Sequence, residues 1–263
     1  MTANQEPCPV DVFYGPGAAG NRHRIVFRRE TGRCGLPVKY QKTANIILLS
    51  GGIKAPLQAQ FYNEGRPVKR CGSGNLAIIA YVSERLRPIS SEQCLITKAG
   101  EVSLGFDQRS AYYRDTPLTQ RPLTRVKFWQ QVVRQRIING SYCGGRNDYV
   151  LLETGQPLAH LHINTKLLCQ FSRRALIVIY RPCSGALQLR YFAPQYGPAE
   201  DAATGSACVQ AAGYLRRHYP RQFLRQLFEV NQCSPAGGCL YLKSIGRQVL
   251  VRGRTAVGGK NYG

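Results

Sequence analysis

Carboxylates are scarce in this 263-residue chain: 14 Asp and Glu stand against 36 Lys and Arg, for a net charge of +22 and a pI near 10. A field of that sign attracts acidic partners, whether a nucleic acid, an anionic membrane or an acidic carrier protein. The cations are spread along Arg22-His23-Arg24, Arg28-Arg29, Arg173-Arg174, Arg216-Arg217-His218 and Arg252 with Arg254, so there is no basic tail or low-complexity arm. Nucleic-acid-binding signatures are missing too, and aromatics do not alternate with basic residues in a repeating manner, which makes a nucleic-acid role the least favoured. No apolar run approaches the ~20 residues of a membrane span. No charged start followed by an apolar core marks a signal peptide, so a cytoplasmic protein without membrane association is expected. The ten cysteines include no C-x-x-C pair. Without an export signal they are expected to be reduced, and mostly buried as small hydrophobes.

A hydrophobic fraction of 43% is ample for a core, and the length suits one large domain or two of ordinary size. The pattern is mostly extended. Val10 to Phe13, Arg24 to Phe27, Ala44 to Leu49 and Leu57 to Tyr62 read as strands. Asn63-Glu64-Gly65-Arg66-Pro67 reads as a hairpin turn, and Pro37 to Lys42 as the start of a helix. Short strands follow around Cys94 to Thr97, Glu101 to Phe106 and Ser110 to Tyr113. Asp115 to Arg121 is polar and proline-bearing, a candidate linker between an N-terminal half (1–115) and a C-terminal half (122–263) whose last strand is free to return to the first. In the second half, strands are expected over Thr124 to Phe128, Gln131 to Ile138, Ala175 to Tyr180, Leu187 to Phe192 and three segments from Phe228 on, with a turn at Asn139-Gly140, while Tyr149 to Glu153 and Ala159 to Ile163 read as two further strands or as a strand and a loop. His160 and His162 then share one face of a strand, but no Cys/His cluster offers a third ligand, so no metal is expected.

Two glycine-rich stretches stand out. Arg70-Cys71-Gly72-Ser73-Gly74-Asn75-Leu76-Ala77 opens an apolar run expected to be helical to about Leu86, where Arg87-Pro88 ends it. Glu200-Asp201-Ala202-Ala203-Thr204-Gly205-Ser206-Ala207-Cys208 opens a second, to about Arg217. Placing Gly74 over Gly205, 131 residues on, sets Ser73 over Thr204 and Asn75 over Ser206. Each stretch is a tight turn of small polar residues before a helix. Such a start presents backbone N–H groups without intrahelical partners, backed by the positive end of the helix dipole, and can receive a carboxylate.

Val10-Asp11-Val12-Phe13 with Gly20-Asn21, then Cys71-Gly72-Ser73-Gly74, then Phe192-Ala193-Pro194 through Glu200-Asp201-Ala202-Ala203-Thr204-Gly205-Ser206-Ala207 resemble the phenazine-biosynthesis isomerase (PhzF-like) family. Its wider superfamily includes diaminopimelate epimerase, to whose Cys-Gly-Asn-Gly motif Cys71-Gly72-Ser73-Gly74-Asn75 is similar. The resemblance implies an α+β fold of two pseudo-symmetric halves, each a mixed sheet curled around a central helix, with a site in the cleft between them. It implies cofactor-free proton transfer at carbon (isomerisation, racemisation or epimerisation) on a small carboxylate-bearing substrate such as an amino acid or related metabolite, and homodimers as in many relatives. It carries over Asp201 as substrate anchor or proton donor, Thr204 and Ser206 as donors beside it, and Asn21 as a substrate-side amide. Gly72, Ser73, Gly74, Asn75, Glu200 and Gly205 complete the expected substrate-binding set. A thiol at a helix N-terminus has a depressed pKa, which makes Cys71 a candidate base.

Two departures qualify this. Relatives of the isomerase type carry a catalytic Glu in a Ser-Glu-Thr turn, where this chain has Ser50-Gly51-Gly52. Epimerase-type relatives oppose two cysteines, whereas the position mirroring Cys71 in the alignment above is Ala202, and Cys208 falls inside the helix. An isomerase using Cys71 and Asp201, and a catalytically degenerate binding protein of the same fold, therefore both stand as expectations.

Overall fold

The computed structural model describes residues 6–28, 35–51, 56–86, 88–89, 91–107, 110–197, 199–223 and 227–259. Gly52, Arg29, Cys34 and the helix-stop Arg87 lie outside them. The chain divides into two units. The first takes the chain up to Tyr14, Gly20–Asp115 and the end from Arg252 onward; the second takes Gly15–Ala19 and Thr116–Val251.

The first unit is strand-rich around one helix. β1 (Cys8–Val12), β2 (Asn21–Arg28), β3 (Ile46–Ser50), β4 (Leu57–Asn63) and β5 (Arg66–Val68) precede α1 (Gly72–Tyr81). β6 (Gln93–Thr97), β7 (Gly100–Asp107) and β8 (Ser110–Asp115) follow it. β1 lies antiparallel both to β2 and to the last strand, Thr255–Val257. β2 runs parallel to β3 and β4 parallel to β6, the other pairings being antiparallel. β4 alternates buried and exposed residues, and Glu64-Gly65 turns it into β5 with φ of 49° and 78°. Both central residues at positive φ match the twist of a tight hairpin. α1 touches β1, β2, β7, β8 and the last strand, and all ten of its residues are buried. A helix enclosed on every side needs no polar face, which is why Gly72-Ser73-Gly74-Asn75 through Tyr81 shows no amphipathic period. The α-helix stops at Tyr81, and Val82–Leu86 continues as a π-helical turn. The helix expected near Pro37 is a single 3-10 turn, Val38–Tyr40.

The second unit has helices on two sets of partners. Its elements are β9 (Gln120–Pro122), α2 (Val126–Val133), β10 (Ile137–Cys143), β11 (Tyr149–Thr154), α3 (Thr165–Phe171), β12 (Ala175–Tyr180), β13 (Leu187–Phe192), α4 (Gly205–His218), α5 (Pro220–Phe223), β14 (Phe228–Gln232), β15 (Gly238–Ile245) and β16 (Gln248–Gly253). β11–β12 and β13–β14 are parallel pairs in an otherwise antiparallel series from β9 to β15. β11 is buried throughout and β12 over its first five residues, so they read as continuous apolar runs. α4 packs on β12 and β15 and is buried from Gly205 to Leu215. A cluster of Trp129, Val132, Val133, Val150, Leu152, Leu168 and Leu176 joins α2 and α3 to the strands.

Several expectations for this unit change. The strands expected over Thr124 to Phe128 and Gln131 to Ile138 are replaced by α2 and the start of β10. Buried Trp129, Val132 and Val133 recur at the helical spacing of three and four, which outweighs the β-propensity of Val, Phe and Trp. Asn139-Gly140 is not a turn. It lies inside β10, where the register shifts between Ile137 and Asn139, and Gly140 is needed because a Cβ would come within 2.7 Å of the Leu151 carbonyl. Tyr149–Thr154 and Ala159 to Ile163 are a strand and a loop, one of the two forms expected, and exposed His160 and His162 flank buried Leu161 in the loop and do not share a strand face. The cysteines are less buried than expected. Of the nine described, Cys143 and Cys208 are buried, and none is in a disulfide. No described helix is long and apolar enough to cross a membrane, and no group of three or more His, Cys, Asp or Glu capable of holding a metal occurs among the described residues.

Candidate functional site

Cys71 is the N-cap of α1, with extended backbone at φ −141° and ψ 92°. The residues that follow are small, so the chain turns sharply into the helix and the thiol folds back over the first turn. Cys71 Sγ accepts a hydrogen bond from the Gly74 N–H at 3.3 Å and lies 3.6 Å from Ser73 Oγ. The Cys71 carbonyl accepts the Asn75 N–H at 3.0 Å. Gly74 lets the turn pack closely, since a Cβ would sit 2.7 Å from the Phe61 ring and 3.0 Å from Cys71 Sγ. Gly72, Ser73 and Asn75 are buried, while Cys71 keeps partial exposure. Asn75 Oδ1 is buried without a hydrogen-bond partner among the described residues. The thiol thus lies at the positive end of a buried helix, in contact with a backbone N–H, an arrangement that stabilises negative charge on sulfur.

Asn21 opens β2 opposite Val12, so it is a strand residue and not part of a flexible turn. Gly20 before it is at φ +69°, where a Cβ would collide with the Val12 carbonyl at 2.1 Å. Asp11 and Arg22 pair through two bonds of 2.8 and 2.9 Å and tie β1 to β2 beside Asn21. Asn21, His23 and Ile25 share the buried face. Burial lowers the His23 pKa to about 4, against the raising influence of the Asn45 backbone and of Asp11.

Gly51, where the resemblance leads one to expect a Glu, has φ +124°, and a Cβ there would meet the Pro56 carbonyl at 2.6 Å, so a side chain is strained at this point of the turn.

In the second unit, Thr204 is the N-cap of α4, at φ −120° and ψ 93°. These angles match those of Cys71 to within 21° and 1°. The caps therefore correct the repeat: Cys71 pairs with Thr204, Gly72 with Gly205, Ser73 with Ser206, Gly74 with Ala207 and Asn75 with Cys208, a spacing of 133 residues. The counterpart of the thiol is a hydroxyl, and Ala202 precedes it by two positions. Cys208 is fully buried, which pushes its thiol pKa up, so it is a packing residue.

The Thr204 hydroxyl does not cap its own helix. It donates to Asp201 Oδ2 at 2.6 Å. Gln232, at the end of β14, closes the turn: its Oε1 accepts the Thr204 N–H at 2.7 Å, and its Nε2 donates to the Asp201 carbonyl at 2.7 Å and lies 3.3 Å from Thr204 Oγ1. The Ser234 hydroxyl donates to the Ala202 carbonyl at 2.7 Å. Ser206 is buried in the first turn of the helix. Glu200 has a structural position. Its carboxylate is gripped by Arg190 through two 2.6 Å bonds, and Arg190 also donates to the Leu161 carbonyl. Gln232 and Ser234 were not singled out in the sequence. They lie about 30 residues from the turn, and the register of β13 with β14, Leu189 opposite Gln232, brings them there.

Residues 68–260 match the sequence model of PhzC-PhzF, described as phenazine biosynthesis-like protein. Over 75 residues the chain is 39% identical to trans-2,3-dihydro-3-hydroxyanthranilate isomerase of Pseudomonas aeruginosa, an alignment that spans 28% of this chain and 27% of that protein. Among solved structures, a PhzF-family phenazine biosynthesis protein of Enterococcus faecalis superposes with a TM-score of 0.79 at 16% identity, covering 96% of each chain. A probable proline racemase of Agrobacterium radiobacter K84 does so with a TM-score of 0.63 at 9% identity, covering 98% of this chain and 93% of that one. Identities this low speak to the fold, which is the α+β epimerase-like type, with a mixed sheet and a central buried helix in each unit.

Proposed function

The chain belongs to the PhzC-PhzF family of phenazine biosynthesis-like proteins, and on that premise we propose that it is a cofactor-independent isomerase, racemase or epimerase that moves a proton at carbon on a small carboxylate-bearing substrate. The observation that carries this reading is the Cys71 thiol at the start of α1, partly exposed and receiving the Gly74 N–H. As thiolate, Cys71 takes the proton from a carbon next to the carboxylate or in conjugation with it. The electron pair left behind is delocalised into an enolate, the charge that helix-start N–H groups are suited to stabilise. Asp201, held at Oδ2 by the Thr204 hydroxyl, is the acid assigned to deliver a proton to carbon. Cys71 ends as thiol and Asp201 as carboxylate, and proton exchange with solvent restores both before the next turnover. A similar acid–base role contributes roughly 10²–10⁴-fold in rate where it has been measured. The activity named for the Pseudomonas relative, isomerisation of a dihydro-hydroxyanthranilate, makes an unsaturated cyclic acid the first substrate to try.

The test is solvent exchange. The protein is incubated in deuterium oxide with amino acids and with hydroxy and unsaturated acids, and the carbon-bound hydrogens are followed by NMR. Deuterium entering one carbon with the native protein and not with Cys71→Ser is the expected result. Exchange retained by Cys71→Ser removes Cys71 as the base.

A second reading, a binding protein that has lost the reaction, is favoured by Gly51, where the resemblance leads one to expect a Glu and a side chain is strained. A ligand that stabilises the protein thermally while gaining no deuterium supports this reading over the first.

A further inference from the structure

Asp201 has a neighbour in the second unit that neither its own turn nor α4 supplies. After β13 a 3-10 turn, Pro194–Tyr196, reverses the chain, and Phe192 then pairs with Glu200 as an antiparallel bridge. The Ala193 N–H donates to the Ala199 carbonyl at 3.2 Å, and the Asp201 N–H to the Tyr191 carbonyl at 3.3 Å. This register divides the side chains between two faces. Phe192 and Glu200 take one, where Phe192 joins the apolar cluster of α2, α3 and the strands and Glu200 is gripped by Arg190. Tyr191 and Asp201 take the other. The register sets them opposite each other, a placement that brings Cβ atoms to roughly 4.5–5.5 Å. The Tyr149 ring flanks Tyr191, with centroids 6.4 Å apart. Of two acids adjacent in sequence, one is held in an ion pair and the other faces a phenol.

Tyr191 is half-buried, and its hydroxyl has no hydrogen-bond partner among the described residues. A tyrosine this enclosed ordinarily finds a partner for its O–H. Burial first, and then Tyr149, Asp201 and Tyr196 nearby, push its pKa well above the ordinary value, so the oxygen keeps its proton and remains a donor across the neutral range. A substrate carboxylate has the N–H groups of a helix start to receive it, which leaves the phenol for a second oxygen. We propose that Tyr191 is a further substrate-binding residue of this site, donating its O–H to a hydroxyl or carbonyl oxygen of the substrate beside the carbon that Asp201 addresses. The protein then selects acids that carry such an oxygen over their deoxy counterparts. The inference rests on the reading above for placing a carboxylate-bearing substrate at Asp201, and adds which acids are chosen there.

The probes are matched pairs of acids that differ by one oxygen: lactate and propionate, 3-hydroxybutyrate and butyrate, 3-hydroxybenzoate and benzoate. Binding to the full chain is titrated by ligand-observed NMR. The native protein is expected to bind the oxygen-bearing member of at least one pair about tenfold more tightly, the effect of one well-formed hydrogen bond. Tyr191→Phe keeps the ring and is expected to bind both members alike, with the affinity of the deoxy acid. Tyr196→Phe removes a neighbouring exposed phenol, bonded to the Arg173 carbonyl, and is expected to keep the preference. The proposal is overturned if no pair shows a preference, if Tyr191→Phe retains it, or if Tyr196→Phe loses it equally. Deuterium exchange on the same proteins separates this inference from the isomerase reading. A preference that depends on Tyr191 without exchange at carbon upholds the inference and removes the reaction, whereas exchange without such a preference upholds the reaction and removes the inference.

Discussion

The starts of α1 and α4 are built to nearly the same backbone angles, yet their side chains are held in opposite ways. At α1 the cap is local: Cys71 Sγ receives the N–H of Gly74, three residues on, and the turn is held by its own glycines. At α4 the cap is remote: the Thr204 hydroxyl is turned toward Asp201, and Gln232 and Ser234 from the end of β14 and the loop after it supply the bonds that fix the turn. The first arrangement leaves a polarisable thiol at the positive helix end, and the second leaves a carboxylate with one oxygen anchored. A fold that repeats a backbone need not repeat its chemistry, and here the repeat carries a thiol at one helix start and a hydroxyl bonded to a carboxylate at the other.

The largest effect that tests this contrast is on activity. Cys71→Ser should lower exchange by about 10²-fold or more while changing stability by less than about 1 kcal/mol, because serine is itself a good cap. Loss of exchange together with a large fall in Tm would mean that the thiol holds the turn, and the contrast between local and remote caps would then be between two structural devices.

A second difference concerns protonation. His23 is buried beside Asn21 in the first unit, and its folded pKa of about 4 lies below the ordinary 6.5. The unfolded chain therefore binds a proton that the folded chain refuses between those values. The stability contribution is complete above about pH 6.5, declines as pH falls, and is lost below about pH 4, a swing of about 3 kcal/mol. His23→Leu should flatten the Tm profile over that window. An unchanged slope would place the acid sensitivity elsewhere.

Much of the architecture was legible because it follows from local pattern. Ala175 to Tyr180 and Leu187 to Phe192 are the strands expected, to the residue, since runs of Ile, Val and Leu between polar breaks admit little else. Both glycine-rich turns open helices as expected. α2 was hidden because Val126, Phe128 and Trp129 favour strands one at a time, and its apolar spacing covers only two turns. The registration of the repeat was hidden for a different reason. Anchoring the comparison on Gly74 and Gly205 joins one shared glycine with chemically similar neighbours and passes over the offset of 133, which joins Gly72 with Gly205 and Ser73 with Ser206 and which the cap geometry selects, putting Thr204 in the place of Cys71. Asp201 was visible as a candidate, but Gln232 was not, because the contact depends on the parallel pairing of β13 with β14, which no local spacing encodes.

The remote cap can be broken directly. Gln232→Leu keeps most of the side-chain volume but removes the partners of the Thr204 N–H and the Asp201 carbonyl. Leaving these groups unmatched should cost about 2–3 kcal/mol, measured by urea unfolding, and should reduce exchange in proportion to the disorder it gives Asp201. A change under about 0.5 kcal/mol would show that Ser234 alone suffices to hold the turn.

The smallest effects separate the two registers of the repeat. If Gly74 corresponds to Ala207, the positions differ because of what each faces and not because of the turn itself. Gly74→Ala should then cost about 2 kcal/mol, since its Cβ enters the Phe61 ring at 2.7 Å and crowds Cys71 Sγ at 3.0 Å. Ala207→Gly, within the same first turn of the other helix, should cost only about 1 kcal/mol, the ordinary penalty of glycine in a helix. Phe61→Leu should relieve most of the Gly74→Ala penalty, because the ring is the main obstacle, and the double variant tests that coupling by its departure from additivity. If the two penalties prove equal and Phe61→Leu restores nothing, the glycine is required by the turn. The two helix starts would then differ in backbone demand, since α4 carries Ala207 at the same place.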